Sequence, residues 1–313
     1  MMSVTLHHPP ALRYRDLSTI ALTGTGSPVR VTGRLTGPEG APTILILGGI
    51  SADRDVSDTV ECKGWWRQQA GPGKPIDTNR YRILSFDFVG ADIHPFPTTH
   101  DQARAILALA DAAAIRDMAI IGSSYGGMIG LALAALAPDR VRELVVISAA
   151  DRASEMAKAW RSIQRDTVEM GLRLGDGKAG LDLARRLAMT TYRTPDEFEA
   201  RFSGGDCEGR DAAGVAAYLE ARGEAWADTA DPQRFLALSR SMDEHCIDPG
   251  AIICPVTYVA AHEDRLVPAD QIADAAKRTP NGRVVTLNSI YGHDAFLKEE
   301  AAIGATLDQV FGS

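Results

Sequence analysis

Cysteine is scarce. Only four of 313 residues are Cys, at positions 62, 207, 246 and 254, and no two form a Cys-x-x-Cys pair. Thiols this scattered build neither a disulfide framework nor a redox motif, and they read as free thiols in a reducing compartment. Positive charge is also in deficit: Lys plus Arg number 33 against 41 Asp plus Glu, a formal charge of −8. Non-specific binding to nucleic acid or anionic membrane needs a basic patch, and neither end of the chain supplies one, so neither partner is expected. No apolar run approaches the roughly 18 residues that span a bilayer. The opening residues, MMSVTLHHPP, lack a basic stretch ahead of an apolar core, so a secretory leader is not expected. Histidines and acids show no ligand spacing, which excludes a metal site as an expectation. Repeats and low-complexity tracts are absent. What remains is an ordinary globular composition, 45% hydrophobic and 24% charged, expected in the cytoplasm and with apolar material for a full core.

Short aliphatic runs at 43–47, 82–88, 118–121, 144–147, 255–260 and 283–287 each end in Gly, Ser or Asp. Continuous apolar runs of that length predict strands buried on both faces of a parallel sheet. Between them, 101–114, 126–137, 269–277 and 294–310 predict helices, and residues 17–35 predict one or two antiparallel edge strands. Strand and helix in alternation predict an open α/β sheet. The rhythm breaks at 151–249, which has no convincing strand. Instead, amphipathic patterns run over 155–171, 181–189, 195–202, 212–222 and 232–242. The expected organisation is therefore an α/β core from 1–150 and 250–313, with 151–249 inserted as a helical lid over the carboxyl ends of the strands.

The run Met118 to Ile121 leads straight into Gly122-Ser123-Ser124-Tyr125-Gly126 and then a helix. This is G-x-S-x-G in its strand–turn–helix setting. The turn is so tight that the residues two before and two after the nucleophile must be very small, and both are glycine. It lifts Ser124 above the sheet and turns unpaired helix N–H groups toward an oxyanion. A serine hydroxyl needs a base. Of seven histidines, His293 alone follows the final strand with a glycine before it and a helix after it. An acid must orient that imidazole; the segment after the strand at 255–260 offers Asp264, whose turn has the usual shape, with Glu263 as the alternative. The second oxyanion donor would come from the loop after the strand at 43–47, so the N–H groups of Gly49 and Tyr125 are the expected pair.

With these residues in place, the chain resembles the homoserine O-acyltransferase family of the α/β-hydrolase superfamily. The likeness rests on Gly-Ser-Ser-Tyr-Gly-Gly-Met at 122–128, Pro-Asp-Arg-Val-Arg at 138–142 and Ala-Met-Thr-Thr-Tyr-Arg-Thr at 188–194. It continues through Tyr218-Leu, the stretch 235–243 and Gly-His-Asp-Ala-Phe-Leu at 292–297. The resemblance implies an α/β-hydrolase fold and a ping-pong transfer in methionine biosynthesis, with an acyl-coenzyme A as co-substrate and no permanently bound cofactor. It also implies a homodimer through the lid helices. By position, Arg193 matches a residue that grips the amino-acid carboxylate and Asp294 one that holds the ammonium group; Tyr218 is a further substrate contact. Acetyl-transferring members carry His-Ala-Leu-Thr-Gly where this chain has Leu47-Gly48-Gly49-Ile50-Ser51. The glycines, Gly48 included, imply a roomier acyl end and a succinyl rather than acetyl donor. The acceptor stays open between homoserine and serine or a related hydroxy amino acid. An esterase using water, and a non-catalytic binding module, are rival outcomes.

Overall fold

The computed structural model describes residues 14–203 and 214–312. Its first two strands, β1 (Tyr14–Leu22) and β2 (Pro28–Thr36), form the antiparallel pair at one edge. Then come β3 (Thr43–Leu47), a separate two-stranded pair of β4 (Ala70–Gly71) and β5 (Ile76–Asp77), and β6 (Arg82–Phe86). The remaining strands are β7 (Met118–Ser123), β8 (Val141–Ile147), β9 (Val256–Ala261) and β10 (Gly282–Leu287). Eight of these make one sheet in the order β1-β2-β6-β3-β7-β8-β9-β10, parallel from β6 onward. This is the α/β-hydrolase arrangement. The crossover order puts β7 in mid-sheet, flanked by β3 and β8, so whatever follows β7 and β3 meets above the carboxyl edge.

Core helices α1 (Thr99–Ala112), α2 (Tyr125–Leu136) and α8 (Ala269–Arg278) cover one face. Helix α1 starts where the Thr98 hydroxyl accepts from Asp101 N–H at 3.1 Å while Asp101 accepts from Thr98 N–H at 2.9 Å, a reciprocal cap that removes two orphan donors. Helix α2 is apolar all round and correspondingly buried along most of its length. Two expectations change. The run at 283–287 is not buried on both faces: β10 is the sheet's edge, and Val284 is 42% exposed. The predicted helix 294–310 is broken into α9 (Ala295–Lys298) and α10 (Glu300–Phe311), with Glu299 at φ −86°, ψ 58° between them. Carbonyls around the break are taken by side chains from the loop after β3: Trp66 Nε1 donates to Phe296 O and Gln69 Nε2 to Glu300 O.

Between β8 and β9 lie α3 (Glu155–Arg173), α4 (Gly177–Tyr192), α5 (Pro195–Phe202), α6 (Val215–Ala227) and α7 (Pro232–Asp243). Four of them open on a polar cap, since Ser154, Asp176, Thr194 and Asp231 each accept from the N–H three residues on. The helix expected at 212–222 begins at Val215, and residues 212 and 213 lie outside the described residues, as does Cys207. A small core of Val168, Leu181, Ala184, Ala227, Phe235 and Leu236 holds the helices together. Asp243 of α7 ties them further, taking Arg161 on one oxygen and Arg165 on the other.

Candidate active site

Ser124 stands between β7 and α2 with φ 54° and ψ −120°, a conformation rarely held by a side-chain-bearing residue. The bend is compressed. A Cβ on Gly122 would lie 2.3 Å from Gly126 O, and one on Gly126 would lie 2.5 Å from the backbone of Leu47 in β3. The two glycines are thus needed for different neighbours: the first for the turn itself, the second for packing the turn against the next strand.

His293 and Asp264 arrive from the far end of the chain. His293 Nε2 is 2.8 Å from Ser124 Oγ, and His293 Nδ1 is 2.7 Å from Asp264 Oδ2. A carboxylate only accepts, so Nδ1 carries the proton and Nε2 is free to take one from the serine. Asp264 Oδ1 is occupied by the N–H groups of Leu266 and Val267 at 2.9 and 3.0 Å, which fixes the carboxylate's rotation. Glu263 is turned away, accepting from Ser289 N–H at 2.8 Å. Burial works most strongly against the charged imidazole. Asp264, by charge and hydrogen bond, and Asp294 nevertheless outweigh it and raise the His293 pKa above its ordinary value.

The N–H groups of Gly49 and Tyr125 donate no hydrogen bond among the described residues. Gly49 lies beside the nucleophile, for a Cβ built on it would be 3.9 Å from Ser124 Cβ. The Tyr125 side chain points elsewhere. Fully buried, its hydroxyl meets Ser241 Oγ of α7 at 2.8 Å and Gln102 Nε2 at 3.2 Å, and burial pushes its pKa up to about 12. The nucleophile's helix is thereby fastened to the inserted helices.

Ser124 and His293 open on a cavity of about 220 Å³ between the sheet edge and the inserted helices. That is below the roughly 300–1,000 Å³ of drug-sized sites and suits a short acyl group and a small acceptor. Gly49 and Asp294 line it; Gly48, Arg193 and Tyr218 do not. A Cβ on Gly48 would meet Ala52 Cβ at 2.5 Å and the Trp65 ring at 2.8 Å, so its smallness seats Trp65 against the cavity and does not widen the space itself. Arg193 lies behind the wall, donating from Nε to Asp294 Oδ2 and from Nη1 to Glu197 Oε1, both at 2.7 Å. Tyr218 packs farther out, with the Arg201 guanidinium 4.2 Å from its ring centre.

Six polar residues of the cavity were given no role from the sequence: Ser51, Thr191 and Tyr192, which lie inside motifs already quoted, and Arg161, Gln164 and Arg185, which do not. A signal existed. Arg161 and Gln164 fall at the same helical spacing as Ala157, Val168 and Gly171, so polar groups interrupt the inward stripe of α3. Among the described residues no cluster of His, Cys, Asp or Glu is placed to hold a metal, and no helix is long and apolar enough to cross a membrane.

Residues 42–300 match the family model described as alpha/beta hydrolase fold. A homoserine O-succinyltransferase of Xanthomonas campestris is 39% identical over 308 residues, covering 96% of this chain and 84% of that protein. A serine O-succinyltransferase of Xylella fastidiosa is 31% identical, covering 83% and 85%. Among solved structures, a homoserine O-acetyltransferase from Staphylococcus aureus superposes with a TM-score of 0.84 at 23% identity over 96% of each chain, which supports the fold. With the nucleophile elbow, the relay behind it and these relatives together, the chain belongs to the homoserine O-acyltransferase family of the α/β-hydrolase superfamily and is an acyltransferase.

Proposed function

We propose that this enzyme moves a succinyl group from succinyl-coenzyme A to the hydroxyl of L-homoserine by a ping-pong route, a step suited to methionine biosynthesis in the cytoplasm. Ser124 Oγ attacks the thioester carbonyl while His293 Nε2 takes its proton. The oxyanion is held by the N–H groups of Gly49 and Tyr125, and the same proton goes to the departing thiol. The acceptor hydroxyl then gives its proton to His293 and attacks the acyl-serine, and the Ser124 Oγ–acyl bond breaks as His293 Nε2 returns that proton to Oγ. Acyl-coenzyme A is a co-substrate only, and the cavity is too small for its bulk, so the coenzyme lies outside. Asp294, beside His293 on the cavity wall, takes the acceptor's ammonium group. Arg193 orients Asp294 from behind, and Tyr218 supports the Arg193 side of that wall.

The observation that carries transfer over hydrolysis is Asp294. A carboxylate braced by a buried arginine, adjacent to the base, gives an amino acid a hold that water cannot use. The test supplies succinyl-coenzyme A with and without homoserine. Thiol release should accelerate with acceptor; equal rates would make the protein a thioesterase. A serine acceptor is the second reading, favoured by the Xylella relative, and comparing kcat/KM for the two amino acids separates them. We also propose a homodimer through α3, where Met156, Ile163 and Met170 recur every seven residues at 58%, 53% and 53% exposure.

A further inference from the structure

We propose that the inserted helices position the oxyanion hole. Helix α7, through Ser241, and α6, through Trp226, each grip one of the two donor segments, so the hole is complete only when both helices are seated. This rests on the reading above, in which the N–H groups of Gly49 and Tyr125 hold the oxyanion. The side chains of Tyr125, Ser241 and Trp226 stand outside the cavity lining, so their part is to position and not to react.

Within the core the two segments are joined at their bases. Gly48 O, on the rigid peptide plane that carries the Gly49 N–H, accepts from Gly126 N–H at 2.9 Å, and Gly49 O accepts from Ala52 N–H at 2.9 Å. The inserted helices hold the other side. The Tyr125 hydroxyl meets Ser241 Oγ of α7 at 2.8 Å and accepts from Gln102 Nε2 at 3.2 Å. Gln102 in turn clasps Val89, donating to its carbonyl at 2.7 Å and accepting from its N–H at 3.0 Å. Tyr125, Ser241 and Gln102 are all fully buried. A phenylalanine at 125 would fill the same space beside Phe88 with no hydroxyl to satisfy. What the hydroxyl adds is direction, because a hydrogen bond weakens steeply off its axis while apolar packing tolerates a slide. On the Gly49 side, Ile50 packs against both the main core and the small core of the inserted helices. Next to it, Ser51 Oγ accepts from Trp226 Nε1 of α6 at 3.2 Å. Phe235 of α7 meets the Trp226 ring edge-on at 5.5 Å, so the two grips are themselves linked. Placement matters at this scale, since a shift of about 1 Å in a catalytic group costs about 10²-fold in rate.

The test needs a readout that mere stabilisation of the fold leaves unchanged. Propylboronic acid provides it: Ser124 Oγ gives a lone pair to boron, the hydroxyl proton passes to His293, and one oxygen of the tetrahedral boronate takes the oxyanion's place. Wild type is compared with Tyr125→Phe, Ser241→Ala, the double variant of these two, and Trp226→Phe. Gln271→Ala is the control, because Gln271 ties α8 to Arg152 O at the root of the inserted helices and touches neither donor segment. Boronate Kd and thiol release from succinyl-coenzyme A without acceptor are measured. Active sites are counted by fluorophosphonate labelling of Ser124 carried to completion, and thermal melts follow folding. The acylation rate at saturating donor should fall about 10-fold in each single variant at 125, 241 and 226, part of the ~10²–10³ that a whole oxyanion donor carries. Boronate affinity should fall by the same factor while the donor KM holds. Tyr125→Phe and Ser241→Ala break one shared bond, so the double variant should lose no more than either alone. Gln271→Ala should match wild type. A lowered Tm with unchanged rate and boronate affinity overturns the proposal. So does a raised KM at full kcat, which would make the contacts part of substrate binding, or an equal loss in Gln271→Ala. Trp226→Phe keeps a ring against Phe235, so the α6 grip is tested even where a variant at 125 or 241 fails to fold. Failure of the underlying transfer reading looks different and shows in wild type itself, as no boronate binding or as thiol release indifferent to acceptor.

Discussion

Replacing Asp264 by Asn changes one atom and should nearly silence the enzyme, for a reason visible in the hydrogen bonds. Oδ1 of Asp264 accepts two backbone N–H groups, from Leu266 and Val267, so an asparagine there must present its carbonyl oxygen to them. Its NH2 then faces His293 Nδ1, where a carboxylate oxygen now lies at 2.7 Å. Nδ1 becomes an acceptor, the ring proton moves to Nε2, and the base can no longer take the Ser124 proton. Loss of the correct tautomer in a serine–histidine–acid system lowers kcat by about 10⁴, or about 5.5 kcal/mol of barrier. The fold should survive, because every backbone bond to the side chain is kept. The assay is single-turnover thiol release from succinyl-coenzyme A, with the acyl adduct counted by intact mass and folding checked by thermal melt. Glu263→Gln is the companion variant. Among the described residues its carboxylate accepts a hydrogen bond only from Ser289 N–H, so it should lose less than tenfold. A full-rate Asp264→Asn, or a larger loss in Glu263→Gln, would refute the assignment of the acid and of the tautomer.

Four further outcomes are expected. The acylation rate should rise with pH through the His293 pKa, because the neutral ring is the base. Since Asp264 and Asp294 raise that pKa, the midpoint should lie above the ordinary 6.5 in a rate–pH profile. Gly122→Ala puts a methyl 2.3 Å from Gly126 O and should lower stability by about 2 kcal/mol or more, seen as a drop of several degrees in Tm. Gly49→Ala should fold normally and slow succinyl transfer more than acetyl transfer, because its methyl enters the cavity 3.9 Å from Ser124 Cβ; Gly48→Ala should displace Trp65 and impair both donors alike in kcat/KM. Ile163→Glu should convert the protein to a monomer in light scattering, by placing a charge in the apolar stripe of α3.

The sequence alone determined the periodicity and order of the elements, because both are local. Aliphatic runs such as 43–47 and 118–121 read as strands from their own residues, and the tight turn itself demands glycine at 122, whereas at 126 the demand comes from Leu47 of the neighbouring strand. Chain order likewise pointed to Ser124, Asp264 and His293, since each sits in a turn with its own residue signature. Tertiary structure decided what depends on direction. Strand position made β10 an exposed edge, and contacts from Trp66 and Gln69 accompany the break in the last helix. Glu263 and Asp264 are neighbours in sequence, and only the backbone's rotation gives one of them to the imidazole. Gly48 and Gly49 look equivalent in a string, yet one faces Trp65 and the other the nucleophile. Arg193 reads as open to a substrate carboxylate until Asp294 and Glu197 are seen beside it, while Arg161, marked in the sequence only by a polar break in the α3 stripe, lines the cavity together with Arg185. A side chain's partners are set by elements a hundred residues away, and no local pattern encodes them.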